Sequence, residues 1–200
     1  MAKQYAPDKP VIYDHQKAGT DIPDTGARFA EVCANAGVDA VILFPQSGPE
    51  TEYAWISAAQ GFGLDVIVGG EMTHLGYLES DTVGEAREEY AKFEEIGFEM
   101  PSGFLRMDAP EEMYEIAARM GVTDFVVPGN KPDAIRHYRS IIEGCGVAEP
   151  AFYSPGLVTQ GGDISEGAEA AGDRFHAIVG RGIYEAEDMR KAALEHSSKL

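Results

Sequence analysis

"AGVDAVILFP", residues 36–45, decides the fold of this chain. A helical pattern ends at Ala36-Gly37, and three residues later Ala40 opens an apolar strand. The same joint recurs as FGLDVI (62–67) and MGVTDFV (120–126). Glycine accepts the left-handed conformation that stops a helix. The aspartate after it then leads a strand rich in Val, Ile and Phe. A helix–Gly–strand joint repeated three times predicts strand–helix units with right-handed crossovers and a parallel sheet.

Working outward, six apolar runs alternate with helical patterns: PVIYD (10–14), DAVILFP (39–45), DVIVGGE (65–71), DFVVPG (124–129), AFYSPG (151–156) and HAIVGR (176–181). Runs of this kind suit strands covered on both faces. Between them, Phe29/Val32/Cys33/Ala36, Trp55/Ala58/Ala59/Phe62 and Met113/Ile116/Ala117/Met120 follow helical spacing. The fold class expected is α/β, a (β/α)8 TIM-barrel type in a single domain over 1–200, with only about six of the eight βα units in this chain. No GxGxxG supports a doubly wound alternative. Strand starts fall 25 to 29 residues apart except between 65 and 124, which predicts an insertion at about 77–108. At a barrel's functional rim such an insertion reads as a lid, a dimer contact or a surface decoration.

Composition narrows the function. The 200 residues are 44% apolar, and 34 acidic against 16 basic side chains give a net charge of −18. Such a surface repels phosphate backbones and anionic lipid, so neither nucleic acid nor membrane is expected as a partner. An anionic substrate would need a local cation or aimed backbone N–H groups. No run approaches the ~18 apolar residues of a membrane span, and MAKQYAPDKP (1–10) lacks a signal peptide's apolar core. Cys33 and Cys145, with no CxxC, read as reduced thiols of a cytoplasmic protein. With no HExxH and no Cys/His cluster, metal chemistry is not demanded.

Chemistry in a parallel barrel gathers where strands end. After the first run come Asp14, Lys17 and Asp21; after the third, Glu71-Met72-Thr73-His74; after the fifth, SPGLVTQGGD (154–163); after the sixth, VGRGIY (179–184). A lysine held between carboxylates stays protonated, a poor nucleophile but a positioned proton donor. The plain alternative is a surface ion pair. Gly161 and Gly162 let backbone N–H groups approach an anion, Gly180 and Arg181 are expected to open the final helix, and Arg181 with Gln160 can grip phosphate. His74 could act as an acid or ligand, whereas His15 supports its loop and His137, His176 and His196 read as having no role.

These residues together resemble the orotidine 5'-phosphate decarboxylase family, from about residue 10 to residue 190. DHQKAGTDIPDT resembles its Asp-x-Lys-x-x-Asp signature, GEMTH its fifth-strand segment, SPGLVTQGGD its phosphate-gripping loop and IVGRGIY its last phosphate element. The intervals here, Asp-x-x-Lys-x-x-x-Asp, are each one residue longer than the family's. Its first two strands, with an aspartate and a lysine, have no counterpart before residue 10. The resemblance implies removal of CO2 from orotidine 5'-phosphate to give UMP, without metal or cofactor. It implies Lys17 as the proton donor to C6, Asp14 beside the departing carboxylate, and Asp21 acting from the neighbouring subunit of a homodimer with Ile22 and Thr25. Thr73 would bind the pyrimidine, and Pro155, Gln160, Gly180 and Arg181 would complete the nucleotide site. Two other readings stay open: a hexulose-phosphate synthase-like member of the same suprafamily, and a non-catalytic nucleotide-binding fragment.

Overall fold

The computed structural model describes residues 2–5, 7–15, 18–81, 92–98, 102–158 and 160–199. Lys17 and Thr159 fall outside these, as do residues 82–91 and 99–101 of the insertion expected at about 77–108. Six strands, β1 (Ile12–Asp14), β2 (Ala40–Leu43), β3 (Asp65–Gly69), β4 (Asp124–Val126), β5 (Ala151–Ser154) and β6 (Phe175–Ala177), pair in chain order, every pair parallel. They form a curled half-barrel, and all six expected runs are strands. The sixth is shorter than its pattern: it starts at Phe175 and leaves the ladder after Ala177, although Ile178 N–H still reaches the Ser154 carbonyl at 2.9 Å.

The helices whose bounds lie within the described residues are α1 (Ala2–Tyr5), α2 (Thr25–Asn35), α3 (Pro49–Gly61), α4 (Ala109–Arg119), α5 (Pro132–Gly144), α6 (Ile164–Ala171), α7 (Arg181–Tyr184) and α8 (Met189–Ser197). Pro49, Pro110 and Pro132 open α3, α4 and α5, where a missing N–H costs nothing. The joints that defined the pattern close as expected. Gly37 N–H donates to Ala34 O at 3.0 Å and Val38 N–H to Cys33 O at 3.2 Å. Gly63/Leu64 and Gly121/Val122 repeat this pair of bonds. All three glycines have φ between 74° and 84°, where a side chain would be strained.

Alternation along the strands divides the core. Val41, Leu43, Val66, Val68, Phe125, Val127 and Phe152 face the helices in one large cluster. Ile42, Phe44, Ile67 and Val126 face the inner side in a small one, with Met72 and Tyr153 against them. The helices are rotated relative to the expected stripes. On α2 the buried residues are Gly26, Ala30 and Cys33, while Val32 is 53% exposed and Ala36 also faces solvent. On α3 they are Thr51, Glu52, Trp55, Ile56 and Ala59, and Phe62 is largely exposed. The reason is close packing: a Cβ on Gly26 would stand 2.8 Å from Trp55 Cδ1, so the indole lies directly on the glycine face of α2. On α4, Tyr114 joins Met113 and Ala117 inside. Cys33 and Cys145 are both free, and burial pushes the Cys33 thiol up.

Between β3 and α4 the chain makes a stitched neck. Leu78 and Leu105 bridge in parallel, Glu79 N–H donates to Leu105 O at 2.7 Å, and Asp81 Oδ2 accepts from the N–H groups of Tyr77 and Leu78. Phe104, 99% exposed, stands at this neck.

Among the described residues β1 and β6 each have one neighbour. Beside β1, a groove of about 370 Å3 is lined by Tyr13, Phe29, Val32, Ala36 and Val38. Open parallel edges flanked by apolar surface invite pairing with another chain. The 200-residue chain is therefore expected to self-associate through this edge at micromolar concentration. Tyr13→Lys combined with Val32→Lys should lower the mass seen by multi-angle light scattering, with the circular dichroism spectrum unchanged. An unaltered mass distribution would rule out this edge as the contact.

Candidate functional site

Parallel pairing in chain order brings every strand's C-terminal end to one rim, and the loops after β3, β4 and β5 touch one another there. A cavity of about 410 Å3 lies at the opposite end among strand starts such as Ile12, Asp65 and Asp124. It contains none of the expected site residues.

Asp14 is the last residue of β1, exposed, in register with Ile42. Ala18, one residue beyond Lys17, is 2% exposed and its carbonyl accepts from Phe44 N–H at 2.8 Å, which ties the loop to the end of β2. Asp21, Ile22 and Thr25 make a separate tight turn. Asp21 Oδ1 accepts from Ile22 N–H at 2.8 Å, and Thr25 Oγ1 donates to Ile22 O at 2.8 Å. Helix α3 holds this turn from below: Thr51 Oγ1 donates to Asp21 O at 3.0 Å and Trp55 Nε1 to Ile22 O at 3.1 Å. The backbone is thus fixed while the Ile22 side chain, 60% exposed, points to solvent.

The second group forms at β3, β4 and β5. A Cβ on Gly156 would stand 2.6 Å from Thr73 Cγ2 and 3.3 Å from Gln160 Oε1, so the loop after β5 presses its bare backbone onto Thr73 and folds Gln160 over the same spot. Gly129 N–H donates to Pro155 O at 2.8 Å, and Asn130 Nδ2 donates to Thr73 O at 2.9 Å. Within the loop, Val158 N–H donates to Gly162 O at 2.9 Å, and Val158 sits at φ 66°, strained for a β-branched residue. Its Cγ1 lies 3.6 Å from where a Gly182 Cβ would be, so this loop touches the 180–184 segment. Gly180 and Arg181, both exposed, open the four-residue α7 rather than the final helix; Glu185 caps α7 and the chain restarts as α8. His74 is exposed and packs its ring edge-on against Tyr77.

Beneath Thr73 lies a polar cluster that the motifs do not announce. Glu71, 6% exposed, accepts from Lys131 Nζ at 2.5 Å and from the Tyr138 hydroxyl. Glu71 N–H donates to Tyr114 Oη at 3.3 Å, Tyr114 Oη donates to Val126 O at 2.7 Å, and Tyr77 Oη donates to Gly70 O at 2.7 Å. Burial, reinforced by Glu71, holds the Tyr138, Tyr114 and Tyr77 hydroxyls well above the usual tyrosine range, so they remain donors. The available signal was the position of Asn130-Lys131 just past the fourth apolar run.

Glu52 also escaped the pattern. It is 1% exposed on α3, beside a cavity of about 280 Å3 lined by Pro45, Gln46, Phe104, Arg106 and Met113, and its Oε1 has no hydrogen-bond partner among the described residues. Burial alone pushes its carboxyl up to about 8.

The family model described as "Orotidine 5'-phosphate decarboxylase / HUMPS family" matches residues 17–196. A curated relative named orotidine 5'-phosphate decarboxylase, from Methanosarcina mazei, is 32% identical over 191 residues, 96% of this chain and 72% of the relative. One of the same name from Methanosarcina barkeri is 31% identical over 200 residues, 100% of this chain and 76% of the relative. The solved structure of orotidine 5'-monophosphate decarboxylase from Methanocaldococcus jannaschii complexed with inhibitor BMP superposes with a TM-score of 0.71 at 22% identity, covering 99% of this chain and 76% of that one. That from Pyrococcus horikoshii gives 0.63 at 23% identity, covering 98% and 76%.

The buried Glu52 carries a pH dependence. Its folded value is raised from 4.5 to about 8, so between those limits the folded chain binds more protons than the unfolded one. Its contribution is fully present below pH 4.5 and is lost as pH rises through about 8. Glu52→Gln should therefore flatten the decline of Tm across this range in thermal unfolding scans. A variant whose Tm falls as steeply as the parent's would mean that Glu52 ionises freely in the folded state.

Proposed function

The chain belongs to the Orotidine 5'-phosphate decarboxylase / HUMPS family, and on that premise we propose that it decarboxylates orotidine 5'-phosphate to UMP. The observation that carries this reading is the convergence of Thr73, Gly156 and Gln160 at one rim of a parallel half-barrel. That arrangement offers a ring-binding hydroxyl beside a bare-backbone loop able to approach an anion.

The reaction breaks the bond between C6 and the carboxylate. CO2 leaves, the electron pair stays on C6, and the Lys17 ammonium supplies the proton that forms C6–H; the neutral amine then regains a proton from water. Asp14 stands beside the departing carboxylate and, with Asp21, keeps Lys17 charged. Asp21 acts from the neighbouring subunit of a homodimer, accompanied by Ile22 and Thr25. Support for this comes from the turn anchored by Thr51 and Trp55, which leaves Ile22 turned outward. Thr73 contacts the pyrimidine. Pro155 and Gln160 line the nucleotide, and Arg181 with the Gly180 backbone takes the phosphate. Binding energy from that remote phosphate is used to close the loops and stabilise the transition state. The chemistry calls on no cofactor and no metal, and the working compartment is the cytoplasm. The stitched segment at about 77–108 is an insertion at the rim of a single domain.

Lys17→Ala tests the core of the reading. Turnover, followed by loss of orotidine 5'-phosphate absorbance, should fall by about 10²–10⁴-fold, the range for losing a positioned acid. UMP affinity should change by less than roughly tenfold, about 1.4 kcal/mol. Near-normal turnover by the variant would sink the assignment, and a parent chain that binds UMP without turnover would favour the binding-fragment reading.

Subunit sharing has its own test. Mixing inactive Lys17→Ala and Asp21→Ala chains should restore part of the activity, because each mixed dimer holds one site with both groups intact. Absence of recovery, with mixed dimers verified by native mass spectrometry, would assign Asp21 to its own subunit's site or to none.

A further inference from the structure

We propose that Glu71, Lys131, Tyr138 and Asn130 are positioning residues that set Thr73 against the nucleotide's base. The inference rests on the reading of Thr73 as the pyrimidine contact and extends it to residues that do not touch substrate.

The geometry is specific. Glu71 is two residues before Thr73 in a segment that has already left the β3 ladder at Gly69, so no strand bonds hold it. In their place, beside the bonds from Glu71 N–H to Tyr114 Oη and from Tyr77 Oη to Gly70 O, stand three contacts from one other part of the chain. Lys131 Nζ reaches Glu71 Oε1 at 2.5 Å, Tyr138 donates to Oε2, and Asn130 Nδ2 meets Thr73 O at 2.9 Å. All three donors come from the loop after β4 or from α5. The end of β3 is thus bolted to the start of α5 at its carboxylate and at its carbonyl.

Stability alone is a weak reason for this arrangement. A buried ion pair loses in desolvation much of what it gains in attraction, and packed apolar side chains often serve as well. What apolar packing cannot do is fix the rotation of a short peptide segment, because it is non-directional. Two directional bonds on Glu71 and one on Thr73 O define that rotation, and with it where the Thr73 side chain points. The fit at that point is close, since Thr73 Cγ2 stands only 2.6 Å from where a Gly156 Cβ would be, so only a glycine suits the facing loop. Loosening the bolts lets Thr73 turn away from a base held in the site.

The test separates base recognition from phosphate recognition by titrating UMP and ribose 5-phosphate, with Tm measured alongside. In Asn130→Ala and Lys131→Met, UMP affinity should drop about tenfold, as for a lost or misaligned hydrogen bond. Ribose 5-phosphate affinity should stay within about twofold, well under the 1.4 kcal/mol of a tenfold change. Lys131→Arg, which keeps the charge on Glu71, should recover most of the UMP affinity. Asn130 is only half-buried, so its variant keeps the test open if Lys131→Met fails to fold. Variants that bind UMP like the parent, or that lose both ligands equally with a fall in Tm, overturn the inference and leave the proposed function standing. A parent chain that binds neither ligand overturns both.

Discussion

Parallel pairing in chain order is the constraint from which the rest of this structure follows. Each strand must be followed by a crossover that returns the chain to the same end of the sheet. Every loop after a strand therefore lands on one rim, and residues remote in sequence become neighbours there. Thr73 and Gln160 meet because of this, as do Glu71 and Lys131. The joints at the opposite end are kept short by the Gly37, Gly63 and Gly121 turns, which leave the rim as the place where loops can lengthen and acquire chemistry.

An acidic chain that handles an anionic nucleotide must solve an electrostatic problem locally. With a net charge of −18, the long-range field disfavours a phosphate. Screening at physiological salt confines that field to about 8 Å, so a few aimed groups can dominate at contact. Arg181 on the opening turn of α7 and the bare backbone near Gly161 and Gly162 suit that task. Lys131 is different in kind: its ammonium is paired with the buried Glu71 carboxylate.

Buried polar groups concentrate under the rim and are bonded where the rim must be held still. Tyr114, Tyr138 and Tyr77 each place a hydroxyl on a backbone carbonyl or on Glu71, and the segment from Gly70 to Thr73 is fixed by them. Among the described residues Glu52 Oε1, Asn130 Oδ1 and His196 Nδ1 are buried without a partner, and the neutral form of the Glu52 carboxyl is favoured accordingly.

The strands, their order and the joints between them were legible in the sequence because they depend on local chemistry: β-branched runs and glycine after helix ends. The motifs singled out Asp14, Lys17, Asp21, Thr73, Gln160 and Arg181; the structure brings Thr73 and Gln160 together at Gly156 and moves Arg181 from the final helix to a short one before it. Helix rotation was not legible, because the face that packs is chosen by the partner. Trp55 fits the small surface of Gly26, so Val32 and Phe62 turn outward despite their hydrophobicity. The Glu71 cluster was not legible either, since Glu71 and Lys131 lie 60 residues apart and Glu71 and Tyr138 lie 67 apart. A lone acid after a strand and a lone lysine before a helix carry no pattern of their own. Only the crossover geometry of the sheet brings them within hydrogen-bond reach, and only exclusion of water there makes their pairing obligatory.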